Sequence, residues 1–153
     1  MKIIQGVAAA FAAASLLVTA PAMAGDMSKA EKLRRLDIML MVTGLRCRTT
    51  ADNFQSDYRR FTANHIAELN QSARAMKAEL AARHGAGADR ALDRLSVTMA
   101  NTYGQGHPWL SCSELKEVAA GLADARGEAP LVAAADQLLD SGGASQFAYV
   151  RRR

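Results

Sequence analysis

Hydrophobic and polar residues alternate with a helical period along nearly all of the chain after residue 28, and glycine or proline interrupts the pattern at a few points. The first helix begins with the capping-box pattern of Ser28 and Glu31, and we expect it to end near Arg48. Apolar positions cover most of its circumference, which predicts a well-buried helix.

The second helical pattern is the clearest in the chain. Thr49 and Asp52 indicate its start, and it continues to His84, where Gly85 is a favourable residue to end a helix. A helix of roughly 33 residues would be about 50 Å long, which is long for a small domain, so we predict a bend near residues 70–72. Its apolar stripe consists of Phe54, Tyr58, Phe61, His65, Leu69, Met76 and Leu80.

Three further helices complete the predicted fold. They cover residues 88–103, a segment that Ser111 and Glu114 cap, and residues 130–139. The pattern contains no strand pair and no internal repeat. We therefore predict an all-α compact bundle of about five helices stapled by one disulfide, after an N-terminal signal peptide.

The signal peptide is expected to occupy residues 1–24. Lys2 precedes an uncharged, mostly apolar run, and Ala22-Met23-Ala24 has the small-x-small pattern that signal peptidase cleaves. Cleavage leaves a single helical domain over 25–153, in which 145–153 is either a loose basic tail or a short docked segment. The apolar run is shorter than the roughly 20 residues of a membrane span. We expect a periplasmic or secreted protein without a transmembrane segment in the mature chain.

The only two cysteines are Cys47 and Cys112. In an exported protein such a pair predicts a disulfide, which closes a loop of about 65 residues and contributes roughly 4 kcal/mol in the chain-entropy model. The alternative, a redox pair, normally shows C-x-x-C spacing. That motif and H-x-x-x-H are both absent from the sequence, so we predict no metal site.

The charge is unevenly distributed. Residues 29–94 contain thirteen Lys and Arg against eight Asp and Glu, whereas residues 95–150 contain two against six. A basic first half favours an anionic partner, and the candidate anion-binding residues are Arg46, Arg48, Arg59 and Arg60. The alternative is that these arginines are solvated helix faces. The sequence contains no aromatic-rich basic patch of the kind that binds nucleic acid, so we expect no nucleic-acid partner.

The segment 103–109 combines glycines, polar side chains and aromatic rings, and it contains the only tryptophan. Loops of this composition often bind ligands, and our candidate binding residues are Tyr103, Gln105, His107 and Trp109. His107 is the expected polar contact. The alternative is architectural: Trp109 fills the core, and the glycines turn the chain.

Catalytic motifs are absent from the sequence. There is no G-x-S-x-G elbow, and the paired glycines at 85/87 and 104/106 lack the third glycine and preceding strand of a dinucleotide site. We predict no catalytic residue and no cofactor. His65 lies on the apolar stripe and is expected in the core, and His84 is expected to cap a helix end.

Residues 36–48 and 104–110, together with Phe54, Tyr58 and Phe61, resemble a group of short exported bacterial helical proteins. The resemblance covers most of the chain after the signal peptide and implies export and a helical fold. Some of that group are labelled S-adenosyl-L-homocysteine hydrolase. That enzyme family is cytosolic, several times longer and built on an NAD-binding fold whose glycine fingerprint this chain lacks, so no catalytic residue transfers.

Three functions follow as hypotheses. The first is a non-enzymatic exported protein that binds a partner protein or an anionic envelope component. The second is a small hydrolase or lytic enzyme with a site near His107, which a pocket lined by His107 and a carboxylate would favour. The third is an envelope stress chaperone, which a large exposed apolar face would favour.

Overall fold

The computed structural model describes residues 27–139, and the predicted signal peptide and basic tail lie outside this range. The described residues form six α-helices and one 3₁₀ turn at Gly85–Gly87, without a strand among them. The helices are α1 (Lys29–Cys47), α2 (Gln55–Asn64), α3 (Ile66–His84), α4 (Ala88–Tyr103), α5 (Cys112–Asp124) and α6 (Glu128–Leu139). The predicted all-α bundle is confirmed.

Helix α1 is the centre of the bundle and packs against each of the other five helices. Its apolar residues supply two hydrophobic clusters. Leu33, Leu36 and Leu40 belong to the cluster shared with α2, α5 and α6. Ala30 and Ile38 belong to the cluster shared with α3 and α4. A helix that supplies two cores must be apolar around most of its circumference, and this explains the wide hydrophobic face in its sequence.

The predicted helix caps at Ser28 and Ser111 are confirmed. The Ser28 hydroxyl accepts a hydrogen bond from the Glu31 N–H at 3.1 Å. At α5, the Ser111 hydroxyl accepts from the Glu114 N–H while the Glu114 carboxylate accepts from the Ser111 N–H, which completes the reciprocal capping box.

The long second helix of the sequence prediction is two helices, α2 and α3, and the predicted bend near residues 70–72 is wrong. The break is at His65, whose backbone (φ −115°, ψ 22°) is not helical. At this break the side chains of His65 and Asn64 face α5. His65 Nε2 lies 2.8 Å from the Leu122 carbonyl oxygen, and Asn64 Nδ2 donates to the Ala123 carbonyl oxygen at 2.8 Å. The break therefore supplies donors to the last carbonyls of α5.

The start predicted at Thr49 and Asp52 is also displaced, because α2 begins at Gln55. The Thr50 hydroxyl donates to the Cys47 carbonyl, and the Asn53 amide donates to the Arg48 carbonyl. These bonds turn the chain after α1, so residues 48–54 form a connection and not a first helical turn.

Cys47 and Cys112 form the predicted disulfide, with their Cα atoms 5.8 Å apart. It joins the last residue of α1 to the first residue of α5. Phe54, the first residue of the predicted apolar stripe, packs against the same end of α1: a Cβ atom at Gly44 would lie only 3.3 Å from the Phe54 ring. The end of α1 is therefore held both covalently and by close packing.

Candidate functional site

A surface depression of about 440 Å³ lies where the C-terminal ends of α1 and α4 meet. Among the residues that the structure describes, its lining contains two of the predicted anion-binding arginines and no acidic side chain. The residues that line it are Val42, Leu45, Arg46, Arg48, Thr49 and Gly104.

Arg46 connects the depression to the 103–109 loop. Gly106 has a φ of +110°, and a Cβ atom at this position would lie 3.3 Å from Arg46 Nε. The guanidinium group therefore lies against the turn because Gly106 has no side chain. Two separately predicted groups of candidate residues, the arginines and the glycine loop, meet at this contact. Gln105, between Gly104 and Gly106, is exposed.

The guanidinium groups of Arg46 and Arg48 are not needed as helix caps. The Cys47 carbonyl accepts from both the N–H and the hydroxyl of Thr50, at 3.0 and 2.8 Å. The Arg48 carbonyl accepts from the Asn53 amide at 2.9 Å. Across residues 27–139, neither arginine side chain takes part in a hydrogen bond or ion pair. The C-terminal ends of α1 and α4 each carry about −0.5 charge. The two guanidinium groups outweigh these charges, so the depression has a net positive charge.

Arg59 and Arg60 lie on α2 and do not line this depression. Arg60 lies 3.1 Å from the Asp124 carboxylate on α5 and 3.6 Å from that of Asp57. Arg59 is exposed. The four candidate arginines therefore separate into a pair at the depression and a pair on α2, and part of the α2 charge is already neutralised.

His107 is 8% exposed, and backbone groups engage both of its ring nitrogens. Nε2 lies 3.0 Å from the Leu138 carbonyl oxygen, and Nδ1 accepts from the Leu110 N–H at 3.3 Å and the Trp109 N–H at 3.5 Å. This arrangement requires the neutral ring with its proton on Nε2. Burial lowers the pKa of His107, and the hydrogen bond to Leu138 opposes that shift only in part.

Aromatic rings surround His107. Trp109 packs edge-on against it with ring centroids 4.6 Å apart, and the buried Tyr103 stacks on it at 5.9 Å. Trp109 Nε1 is buried and has no hydrogen-bond partner among the residues described. These contacts favour the architectural interpretation of the loop. Ligand contact by Tyr103, Gln105, His107 or Trp109 stays a prediction.

Sequence reasoning missed a polar pair between α1 and α2. The Tyr58 hydroxyl donates to Asp37 Oδ1 at 2.9 Å, and Arg34 lies 3.4 Å from the same carboxylate. Burial raises the pKa of Asp37, although its hydrogen bond to Tyr58 and the charge of Arg34 oppose the shift. The signal was Asp37 itself, a lone acid within the apolar run from Leu36 to Met41.

A second depression, of about 200 Å³, lies at the opposite end of α1, beside Lys29. Its acidic lining residues are Glu68, Glu79 and Glu128. The Ser28 hydroxyl donates to the Glu79 carboxylate at 2.9 Å. No group of three potential metal ligands is found within residues 27–139.

No protein-family model, curated protein or solved structure matches this chain. In the part of the chain that the structure describes, no helix has both the length and the apolar character to cross a membrane. The depression at the ends of α1 and α4 is therefore the candidate functional site.

Proposed function

We propose that this protein is an exported, non-enzymatic binding protein that holds an anionic component of the cell envelope in the depression at the ends of α1 and α4. The observation that carries the proposal is the pair of guanidinium groups, Arg46 and Arg48, which face an open depression without an ion pair in residues 27–139. The signal-peptide pattern and the Cys47–Cys112 disulfide support export.

The chemistry of the lining favours phosphate or carboxylate groups. A guanidinium group presents N–H donors in a planar fork that matches these anions. Thr49 adds a hydroxyl group at the same rim.

The alternative functions have weaker support. A hydrolase centred on His107 would need a free ring nitrogen, whereas backbone groups engage both. A chaperone would need a large exposed apolar face, whereas only four large hydrophobic side chains are exposed among the residues described, namely Met41, Leu45, Ile66 and Val97.

A titration with inorganic pyrophosphate and with poly-glutamate tests the proposal, with binding followed by NMR amide shifts and calorimetry. We expect shifts around residues 46–49 and 104–106. Arg46→Ala/Arg48→Ala should weaken binding by tenfold or more, because a charge-assisted hydrogen bond contributes roughly 1.5–3 kcal/mol.

The matched control is Arg59→Ala/Arg74→Ala, which removes the same charge from exposed positions outside the depression. It should bind nearly as well as the unmodified protein. If both double variants lose affinity equally, the anions respond to net charge alone, and the proposed site is wrong.

A further inference from the structure

We infer that the depression and the apolar residues beside it form a docking surface for an anionic lipid bilayer. This inference rests on the proposed function and names the anion as the phosphate of lipid headgroups. It starts from a concentration of exposed apolar side chains. Met41, Leu45 and Val97 are 39%, 49% and 58% exposed, and they are three of the four large hydrophobic residues exposed in residues 27–139.

One of these residues lines the cationic depression, and the other two lie within two helical turns of a lining residue on α1 and α4. Met41 and Leu45 are four residues apart and share one face of α1, and Leu45 lines the depression. Val97 precedes Gly104 by seven residues, so the two lie on the same side of α4. Helices α1 and α4 pack together, and both end at the depression. The exposed apolar side chains therefore lie on the last turns of these two helices, on the N-terminal side of the depression. The distance along α1 from Met41 to Arg48 is about 10 Å.

An apolar surface that ends in two arginines matches the chemistry of a bilayer surface. Apolar side chains of peripheral proteins enter the headgroup and acyl boundary by about 5–10 Å, and guanidinium groups bind headgroup phosphates. Each arginine near an anionic surface strengthens binding by about fivefold. Within residues 27–139, no acidic side chain lines the depression to repel the phosphates. A small soluble anion would use Arg46 and Arg48 but would leave Met41 and Val97 without a role.

The test is flotation of the protein, expressed from its full chain, with vesicles of phosphatidylglycerol and phosphatidylethanolamine. Vesicles of phosphatidylcholine, which have no net charge, are the comparison. We expect binding to the anionic vesicles that weakens with added salt. Arg46→Ala/Arg48→Ala should reduce it by tenfold or more. Met41→Ser/Val97→Ser, at two exposed positions that do not line the depression, should reduce vesicle binding at least threefold while pyrophosphate binding is unchanged.

The matched control is Ile66→Ser, because Ile66 is 56% exposed but lies at the start of α3, outside this surface. It should bind vesicles as the unmodified protein does, and melting curves establish that each variant is folded. Equal losses in Ile66→Ser and Met41→Ser/Val97→Ser would overturn the docking surface.

The failure of this inference is distinguishable from failure of the proposed function. If pyrophosphate or poly-glutamate binds through the arginines but vesicles do not bind, the lipid surface is wrong and the protein binds another anion. If only poly-glutamate binds, that anion is an acidic protein partner. The absence of binding to all three probes would overturn both.

Discussion

His107 and Leu138 connect the turn after α4 to the last turn of α6, through a hydrogen bond of 3.0 Å between Nε2 and the carbonyl oxygen. His65 and Leu122 form the same type of contact at the end of α5, at 2.8 Å. Two buried histidines therefore supply donors to helix C-terminal carbonyls, which lack partners within their own helices. The structural consequence is that the ends of α5 and α6 depend on residues far away in the sequence.

We expect His107→Ala to lower the free energy of unfolding by about 1–3 kcal/mol, because the Leu138 carbonyl and the two loop N–H groups lose a buried partner. Chemical denaturation measures this. Pyrophosphate affinity of the folded variant should be unchanged. If stability is intact and affinity falls, His107 is a ligand contact and the architectural interpretation is wrong.

The same residue predicts a loss of stability in acid. Burial lowers the pKa of folded His107 below the ordinary value of 6.5, so the unfolded chain binds a proton more readily. Its stabilising contribution is complete above pH 6.5 and is lost as pH falls through that value toward the lowered pKa. The difference in unfolding free energy between the unmodified protein and His107→Gln should shrink between pH 7.5 and 5.5.

Asp37 has the opposite pH dependence. Because burial raises its folded pKa above the ordinary 3.8, the folded state binds the proton more tightly than the unfolded state. The contribution to stability is greatest below pH 3.8 and is lost as pH rises through the raised pKa. Asp37→Asn keeps an acceptor for Tyr58 and removes the buried charge. It should therefore be at least as stable at pH 7, with a flatter pH profile above pH 4.

The matched variant for this pair is Tyr58→Phe, which removes the donor and leaves the half-buried carboxylate. We expect a loss of about 1–3 kcal/mol at pH 7. In Asp37→Asn/Tyr58→Phe the loss should be smaller, since no charge is left buried. Equal losses in both backgrounds would show that the hydrogen bond does not couple the two residues.

Because both cysteines belong to one disulfide, we expect three cysteine variants to lose similar amounts of stability. Cys47→Ser and Cys112→Ser should each reduce stability by about 4 kcal/mol in the chain-entropy model, and the double variant should be little worse than either. Thermal melts of the three proteins measure this. Additive losses would mean that each cysteine contributes mainly through its own packing.

The local sequence pattern predicted most of the fold, because α1, α4 and α5 begin and end near capping or glycine signals, and α6 begins directly after Gly127, two residues before its predicted start. The break at His65 has no such signal, since Asn64-His65-Ile66 suits a helix by spacing. Its cause is contacts with Leu122 and Ala123, which are 57 and 59 residues away in the sequence. Tertiary hydrogen bonds of this kind override local propensity.

The kinds of residue in the candidate site were predictable from the sequence, but which of those residues lie together was not. Arg46, Arg48, Arg59 and Arg60 are close in sequence, yet the pairing of Arg60 with Asp124 depends on how α2 packs against α5. The contact of Arg46 with Gly106 joins segments 60 residues apart. No local pattern encodes either relationship, because both depend on the bundle as a whole.

Gly106 has both a positive φ and a close approach to Arg46. Gly106→Ala should reduce stability by about 1–2 kcal/mol, because an L-residue is strained at a φ of this sign. The new methyl group would also lie 3.3 Å from Arg46 Nε and displace the guanidinium group. Pyrophosphate binding should therefore weaken in the folded variant.

Gly104→Ala is the control for this prediction. Gly104 lines the same depression, but its φ of −61° suits any residue, and a Cβ atom there would be in ordinary contact at 3.5 Å from the Ala100 oxygen. We expect nearly unchanged stability and pyrophosphate affinity. If Gly106→Ala loses stability but binds pyrophosphate as well as Gly104→Ala does, the position of Arg46 over the turn does not contribute to anion binding.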